Sequence, residues 1–338
     1  MATASSQPFT RREPSSSWAH LSGALAGLVV LGVGIHLLDP AHAAGAQNFV
    51  LIFSSILIEA VPFVLIGAIA SAVIEVFVPA SLFERLARLP KPIQLPAAGL
   101  AGLAFPVCEC GSVPVARRLV SKGLAPGAAV TFMLAAPILN PVVLASTIVA
   151  YRGRSILWPM VLGRAGMGLA IAIAVGWVAS GYTAQDLLRH APRDLAAGAV
   201  AGGHEPRWSA FFSHLSGDFV FMARFLMLGA AVAAALQTLV PQSVIGSVAS
   251  TPILDLVAMM GLAFLLSLCS ESDAFVAASF VQFGAGAQLA FLVFGPMVDT
   301  KLGFLYTGVF SARFFRNVVI VVTLLTLAGT LWFQVAFG

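Results

Sequence analysis

Two cysteines flank a glutamate at Cys108-Glu109-Cys110, and these three side chains are the first candidates for chemistry. Thiolates prefer Cu(I), Zn(II) and similarly soft centres, so the pair predicts metal or metalloid binding. Two thiols at this spacing share a face when the backbone is extended, which the flanking Pro106 and Pro114 favour. The pair alone is a weak signal, because structural zinc sites take four ligands and buried cysteines often pack as small hydrophobes.

Glu109 has two interpretations. A carboxylate within a membrane is costly and is usually paired or functional, which favours a role in a substrate route. Alternatively, Glu109 is an interfacial carboxylate that forms an ion pair with Arg117 or Arg118.

A second polar segment, Cys269-Ser270-Glu271-Ser272-Asp273, follows an apolar run in the second half of the chain. Its thiol makes Cys269 a third candidate metal ligand beside Cys108 and Cys110. Two acids so close to an apolar run indicate handling of a cation or a proton. The alternative is a solvated turn without a transport role.

A proline-containing break occurs once in each half, at Pro137-Ile138-Leu139-Asn140-Pro141 and at Pro296-Met297-Val298-Asp299-Thr300. Proline removes a backbone donor and frees carbonyl groups that can coordinate an ion or bind a substrate. Asn140 and Asp299 add matched side-chain oxygens. We therefore place Pro137, Asn140, Pro141, Pro296 and Asp299 on the predicted substrate route.

Arg224 is the remaining candidate, because it lies inside an apolar run. It either neutralises a carboxylate from the other half of the chain or extends its charged end to the membrane interface.

The composition places all these residues in a membrane protein. The 338 residues are 59% hydrophobic and 9% charged, whereas roughly a quarter of the residues in a soluble domain are charged. Several apolar runs reach the about 20 residues needed to cross a bilayer. We predict an all-α, polytopic transmembrane bundle of about 8–10 helices, with broken or re-entrant helices.

The charges argue against several function classes. The net charge is +4, and the basic residues lie in connecting segments without a dense tract, so we expect no nucleic-acid partner and interpret them as cytoplasmic anchors. No nucleotide-binding loop or dinucleotide fingerprint occurs, and no Ser/His/Asp order suggests hydrolysis. We expect a protein that is not an enzyme, and the residues leave its cofactor open.

The chain divides into five predicted segments. Residues 1–20 read as a disordered tail, and residues 21–47 as an extra first transmembrane helix, whose apolar run is longer than the about 7–15 residues of a signal-peptide core. Residues 48–180 form a first repeat, 181–208 a polar linker and 209–338 a second repeat.

The repeat is predicted from residues that recur at a constant spacing. Phe63, Gly67, Ala68, Val78 and Pro79 match Phe225, Gly229, Ala230, Val240 and Pro241, and Cys108 matches Cys269. Transporters are often built from two such repeats, with the binding site where helices break in both halves. We expect the two repeats to be inverted relative to each other.

The segments Phe105 to Gly111 and Ala136 to Pro141, with Cys269-Ser270 and Asp273-Ala274-Phe275, resemble a predicted bacterial permease family that includes YraQ-like proteins and the organoarsenical efflux permease ArsP. The resemblance covers roughly residues 48–335. It implies an inner-membrane permease with duplicated halves, and one branch of the family exports trivalent organoarsenicals. Relatives often have Cys-Ser-Cys where this chain has Glu109 in the middle, and that difference favours a cationic substrate.

Together these observations predict a multi-pass, secondary-type permease of the cell membrane that exports a thiophilic metal or metalloid species. Its partners would be the lipid bilayer and a small inorganic or organometalloid substrate, and a homo-oligomer or an accessory protein stays open. The alternative is a non-transporting membrane partner or anchor of a larger complex.

Overall fold

A computed structural model describes residues 43–105, 107–188, 207–239 and 252–337. By its internal contacts the chain divides into residues 1–51 and residues 52–338. The predicted N-terminal tail, most of the predicted first transmembrane helix, Pro106 and residues 189–206 of the predicted linker lie outside the described residues.

Eight α-helices are described in the first half of the chain. They are α1 (Ala43–Phe77), α2 (Ala80–Ala87), α3 (Lys91–Leu100), α4 (Glu109–Ser121), α5 (Pro126–Leu139), α6 (Pro141–Ala150), α7 (Leu157–Ala179) and α8 (Ala184–Leu187). A turn of 3₁₀-helix, Ala101–Leu103, extends α3.

Six more α-helices are described in the second half: α9 (Arg207–Leu239), α10 (Pro252–Leu266), α11 (Asp273–Ser279), α12 (Ala285–Phe294), α13 (Thr300–Val309) and α14 (Ala312–Phe337). Within the described ranges no β-strand forms, and the β-type pairing consists of one isolated bridge between Leu188 and Phe310. Five of the described helices are long and apolar enough to cross a membrane. The predicted all-α, polytopic bundle is confirmed.

The long apolar helices expose much of their surface, whereas the short helices α5 and α12 are buried. Outer helices present apolar side chains without protein cover, such as Ile58 on α1, 75% exposed, and Trp332 on α14, 80% exposed. By contrast, α5 is buried from Gly127 to Leu139 and α12 from Gly286 to Phe294. A helix that is apolar all round belongs in a protein core or a membrane span, and here the two central helices are surrounded by protein.

The helix breaks fall close to the predicted positions except at Pro137. Pro137 does not break the helix but lies inside α5, which ends at Leu139, before Asn140. Proline inside a membrane helix is tolerated when neighbouring helices satisfy the freed backbone groups, and α5 is packed on all sides. In the second half, Pro296 lies in the turn between α12 and α13.

Candidate functional site

The first break positions Cys108 and Glu109 at the start of helix α4. Cys108 has an extended backbone, and its Sγ accepts a hydrogen bond from the backbone N–H of Gly111 at 3.4 Å. The prediction of an extended segment is therefore wrong beyond Cys108, because this cap starts a helix that includes Cys110. The thiol of Cys108 nevertheless lies near those of Cys110 and Cys269, and all three cysteines are buried and free of disulfides.

Glu109 forms a buried ion pair with Lys301 on α13. Lys301 Nζ lies 2.9 Å from Glu109 Oε1, and the two side chains are 2% and 1% exposed. Ser270 Oγ donates to Glu109 Oε2 at 2.8 Å. The alternative pairing with Arg117 or Arg118 does not occur. Arg118 is instead paired with Asp218 at 2.9 Å and with Glu75 at 3.4 Å, towards the other end of α4.

The break in the second half is held by contacts with the start of α13, which also keep Ser267 in an uncommon backbone conformation. Ser267 has φ = 47°, a left-handed conformation that is uncommon for residues other than glycine. Its Oγ accepts from the backbone N–H of Thr300 at 3.1 Å. The next carbonyl, that of Leu268, accepts from Lys301 Nζ at 3.2 Å, so the Glu109 counter-ion also fixes this segment.

A second buried cation, Arg164 on α7, binds the other end of the same segment. Its Nη2 donates to Asp273 Oδ2 at 2.7 Å and to the carbonyl of Ser270 at 3.1 Å, and its Nη1 donates to Thr147 Oγ1 at 2.9 Å. Arg164 is fully buried. Ser270 therefore contacts both ion pairs, one through its hydroxyl and one through its carbonyl.

Asn140 and Asp299 serve first as matched helix caps. Asn140 Oδ1 accepts from the N–H of Val142 at the start of α6, and Asp299 Oδ1 accepts from the N–H of Leu302 at the start of α13. Pro141 occupies the first position of α6, where its missing N–H costs nothing. Asp299 Oδ2 also faces Lys301 Nζ at 3.7 Å, whereas the described contacts of the Asn140 side chain are local.

The strongest candidate for cation binding is Glu109 with Cys269 and Glu271. Their ligand atoms all lie within 4.8 Å of one another. Both carboxylate oxygens of Glu271 are buried and lack a well-formed hydrogen bond within the described part of the chain. Buried polar atoms normally have partners, so the Glu271 carboxylate is a group that can take up a proton or bind a cation.

Formal charge supports the same conclusion. We define the break cluster as Cys108, Glu109, Cys110, Arg164, Cys269, Ser270, Glu271, Asp273, Asp299 and Lys301. At full ionisation its four carboxylates, at positions 109, 271, 273 and 299, oppose the two cations at positions 164 and 301. Burying unpaired charge is strongly unfavourable, so the excess of negative charge favours either a bound cation or protons on some of these carboxylates.

Arg224 lies apart from these contacts. It is exposed, and its guanidinium stacks over the rings of Phe221, at 4.7 Å, and Phe225, at 5.6 Å. Among the described residues it has no acidic partner. Of the two alternatives, its exposure fits the interfacial one.

Close helix approaches bring the two breaks together. A Cβ atom added at Gly67 on α1 would meet the backbone of Gly111 on α4, and one added at Gly229 on α9 would lie 2.7 Å from the Cα of Lys301. The two matched glycines therefore let α1 approach α4 closely and α9 approach α13 closely. Each close approach lies beside one partner of the Glu109 to Lys301 ion pair.

Sequence reasoning missed Lys301, Arg164 and Thr147. A signal for Arg164 was available, because a charged residue inside an apolar span is functional by default. Lys301 follows Asp299 in the sequence and gives no separate signal, since its partners Glu109 and Leu268 are far away in the chain.

Comparison with known proteins gives the same class of membrane protein. A family model described as "predicted permease" (ArsP_1) matches residues 45–335. The UPF0718 protein YcgR of Bacillus subtilis (strain 168) is 39% identical over 281 residues, which cover 83% of this chain and 95% of that protein. A Streptococcus mutans (strain UA159) protein, provisionally named as a subunit of a two-component membrane permease complex, is 34% identical over 272 residues, or 79% and 89% of the two chains. No solved structure matches the chain.

Proposed function

Because the chain belongs to this predicted permease family, we propose that it is a secondary-type permease that exports a thiophilic metal or metalloid species through the break cluster. The family establishes a multi-pass permease of the cell membrane. The substrate class is our proposal, and it rests on the chemistry of the site.

The observation that carries the proposal is the group formed by Glu109, Cys269 and Glu271. Carboxylates and a thiol that approach within 4.8 Å offer one soft and two hard ligands. Thiolates select soft metals, and mixed ligands suit Zn(II). The oxygens of Glu271, which accept no well-formed hydrogen bond from the described residues, are the ligand atoms most open to a transported ion.

The two ion pairs fit a site that holds its substrate transiently. Lys301 and Arg164 already neutralise part of the negative charge of the carboxylates. A bound cation would therefore meet carboxylates whose negative charge is only partly neutralised. A permease must bind its substrate tightly enough to select it and weakly enough to release it. No nucleotide-binding loop occurs in the sequence, so we assign the energy source to an ion gradient, to the gradient of the substrate or to a separate protein.

The test is flux through the purified chain in proteoliposomes, with Zn(II), Cu(I) and a trivalent organoarsenical as separate probes. We expect Glu271→Gln, Cys269→Ser and the double variant Cys108→Ser with Cys110→Ser each to lower flux of the transported probe at least about tenfold, since each removes a ligand. Asp186→Asn is the matched control, because it also removes one carboxylate but lies exposed outside the cluster. Unchanged flux in the cysteine double variant contradicts the thiol role.

A second candidate is a subunit of a larger membrane complex. The name of the Streptococcus mutans relative assigns that protein to a two-component permease complex. If this chain works in the same way, the purified chain alone will carry none of the probes, and flux will return when a co-purified partner is added. Flux by the chain alone contradicts this candidate.

A further inference from the structure

An apolar cavity lies apart from the break cluster, beneath the short helices α2 and α3. It has a volume of about 420 Å³, and its walls come from the C-terminal end of α1, from α2 and α3, and from the facing sides of α4 and α5. Pockets for small ligands typically measure about 300–1,000 Å³, so the cavity can hold a ligand.

The walls of the cavity define what chemistry can bind there. Every lining side chain except Gln94 is apolar. The Gln94 amide is already engaged, because its Nε2 donates to the carbonyl of Leu86 at 2.8 Å. A polar or charged ligand would therefore lose its hydration without gaining partners, whereas a hydrocarbon chain would gain by burial.

The cavity opens beside an apolar rim. Leu82, Leu86 and Leu89 line it and are also 47%, 40% and 39% exposed. Helix α2 is strongly amphipathic, with Phe83 buried and polar residues on the opposite side. Helices of this type lie in the interface of the bilayer, so the opening of the cavity would meet lipid tails near the headgroups.

Three exposed cations, Arg85, Arg88 and Lys91, lie on the same segment. In the part of the chain that the structure describes, none of them forms an ion pair. By sequence, residues 81–91 contain these three cations against one acid. Exposed basic residues beside an interfacial helix favour anionic lipid headgroups.

We propose that this cavity binds one acyl chain of an anionic phospholipid, whose phosphate is held by Arg85, Arg88 and Lys91. The cavity contains no thiol and no carboxylate, so it is separate from the proposed substrate route. Val115 and Leu119 on α4 line the cavity, and the same helix carries Glu109 in its first turn. The bound chain would pack against the helix that positions the break cluster.

The test is native mass spectrometry of the purified full-length chain, with phosphatidylglycerol and phosphatidylcholine that carry identical acyl chains. We expect the chain to retain one phosphatidylglycerol about tenfold more strongly than phosphatidylcholine, because the basic residues near an anionic headgroup add to binding. The triple variant Arg85→Gln, Arg88→Gln and Lys91→Gln should lose this preference. Its matched control neutralises three exposed cations elsewhere, as Arg152→Gln, Arg313→Gln and Arg316→Gln.

A second pair of variants tests the cavity itself. Ala98→Trp fills the cavity and should reduce retention of both lipids, whereas Ala145→Trp, on the exposed side of α6, should not. Equal retention of the two lipids by the unmodified chain, or equal retention by the two tryptophan variants, overturns the proposal. If Ala98→Trp does not fold, the comparison of the two triple glutamine variants decides. These measurements need no transport activity, so they can fail or succeed independently of the proposed permease function.

Discussion

Lys301 is the residue on which the break cluster depends most. Its ammonium is buried against Glu109 at 2.9 Å, Asp299 at 3.7 Å and the carbonyl of Leu268 at 3.2 Å. Lys301→Met leaves the buried Glu109 without its cation, which typically costs about 3–5 kcal/mol. We expect a clear drop in the thermal denaturation midpoint in detergent. Arg152→Met, which removes an exposed cation outside both proposed sites, is the control and should change the midpoint little.

The same ion pair predicts a compensating change. Adding Glu109→Gln to Lys301→Met removes the uncompensated carboxylate, so the double variant should be more stable than Lys301→Met alone. Residues in one contact are not additive in such a cycle. Additive losses of stability in the two single variants would show that Lys301 and Glu109 do not interact.

At this scale the sequence predicts the acids and thiols better than their partners. Glu109 and Asp273 stand out because carboxylates are rare in apolar segments, and both lie in the observed network. Lys301 and Thr147 look ordinary, since their role arises only when distant helices meet. The Asn140 and Asp299 motif was recognised, but helix capping explains most of its geometry, and the preference of Asn and Asp for N-caps could have indicated this.

At the scale of helices, two glycines set how closely α4 and α13 approach their neighbours. A methyl group at Gly67 would collide with the backbone of Gly111, and one at Gly229 with that of Lys301. Backbone atoms cannot move aside as a flexible side chain can, and overpacking typically costs about 1–3 kcal/mol. We expect Gly67→Ala and Gly229→Ala each to lower both stability and flux.

Gly217→Ala is the matched control for this pair of variants. Gly217 lies on α9 like Gly229, but nothing lies within 4 Å of an added Cβ atom. Alanine is favoured over glycine within a helix by about 0.5–1 kcal/mol, so this variant should be as stable as the unmodified chain or slightly more so. Equal behaviour of Gly217→Ala and Gly229→Ala would contradict the proposed close approach.

Helix boundaries were predictable where apolar runs end at helix-breaking residues such as proline and glycine. The apolar run from Ile156 to Ala179 in the sequence agrees with α7, Leu157–Ala179, and the apolar run from Pro126 to Ala150 corresponds to α5 and α6. The predicted boundary was wrong where a single side chain determines the residue at which a helix begins. Cys108 caps α4 immediately, although the nearby prolines suggest a longer irregular segment, because a side-chain cap overrides a weak local preference.

For the whole molecule, the order of helices supports the predicted duplication. Under that prediction, helices α1 and α3 to α7 correspond in order to α9 to α14, and α5 and α12, both buried along nearly their whole length, take equivalent places in that order. The contacts are also reciprocal. Helix α4 packs against α13, and α6 packs against α11, so the first break of each half meets the second break of the other. Reciprocal pairing of this kind is expected of two repeats related by an approximate two-fold axis.

Inverted and parallel repeats differ in the side of the membrane on which matched helices begin. Labelling of introduced cysteines can test this, because the natural cysteines are buried. Cys108, Cys110 and Cys269 are at most 1% exposed, so a membrane-impermeant maleimide should leave the unmodified chain unlabelled.

Arg152 precedes α7 and Arg313 lies at the start of α14, its counterpart, and both are exposed. In inverted repeats the starts of matched helices lie on opposite sides of the membrane. We therefore expect Arg152→Cys and Arg313→Cys to be labelled from opposite sides, one in intact cells and the other only after permeabilisation, whereas labelling of both from one side would establish parallel repeats.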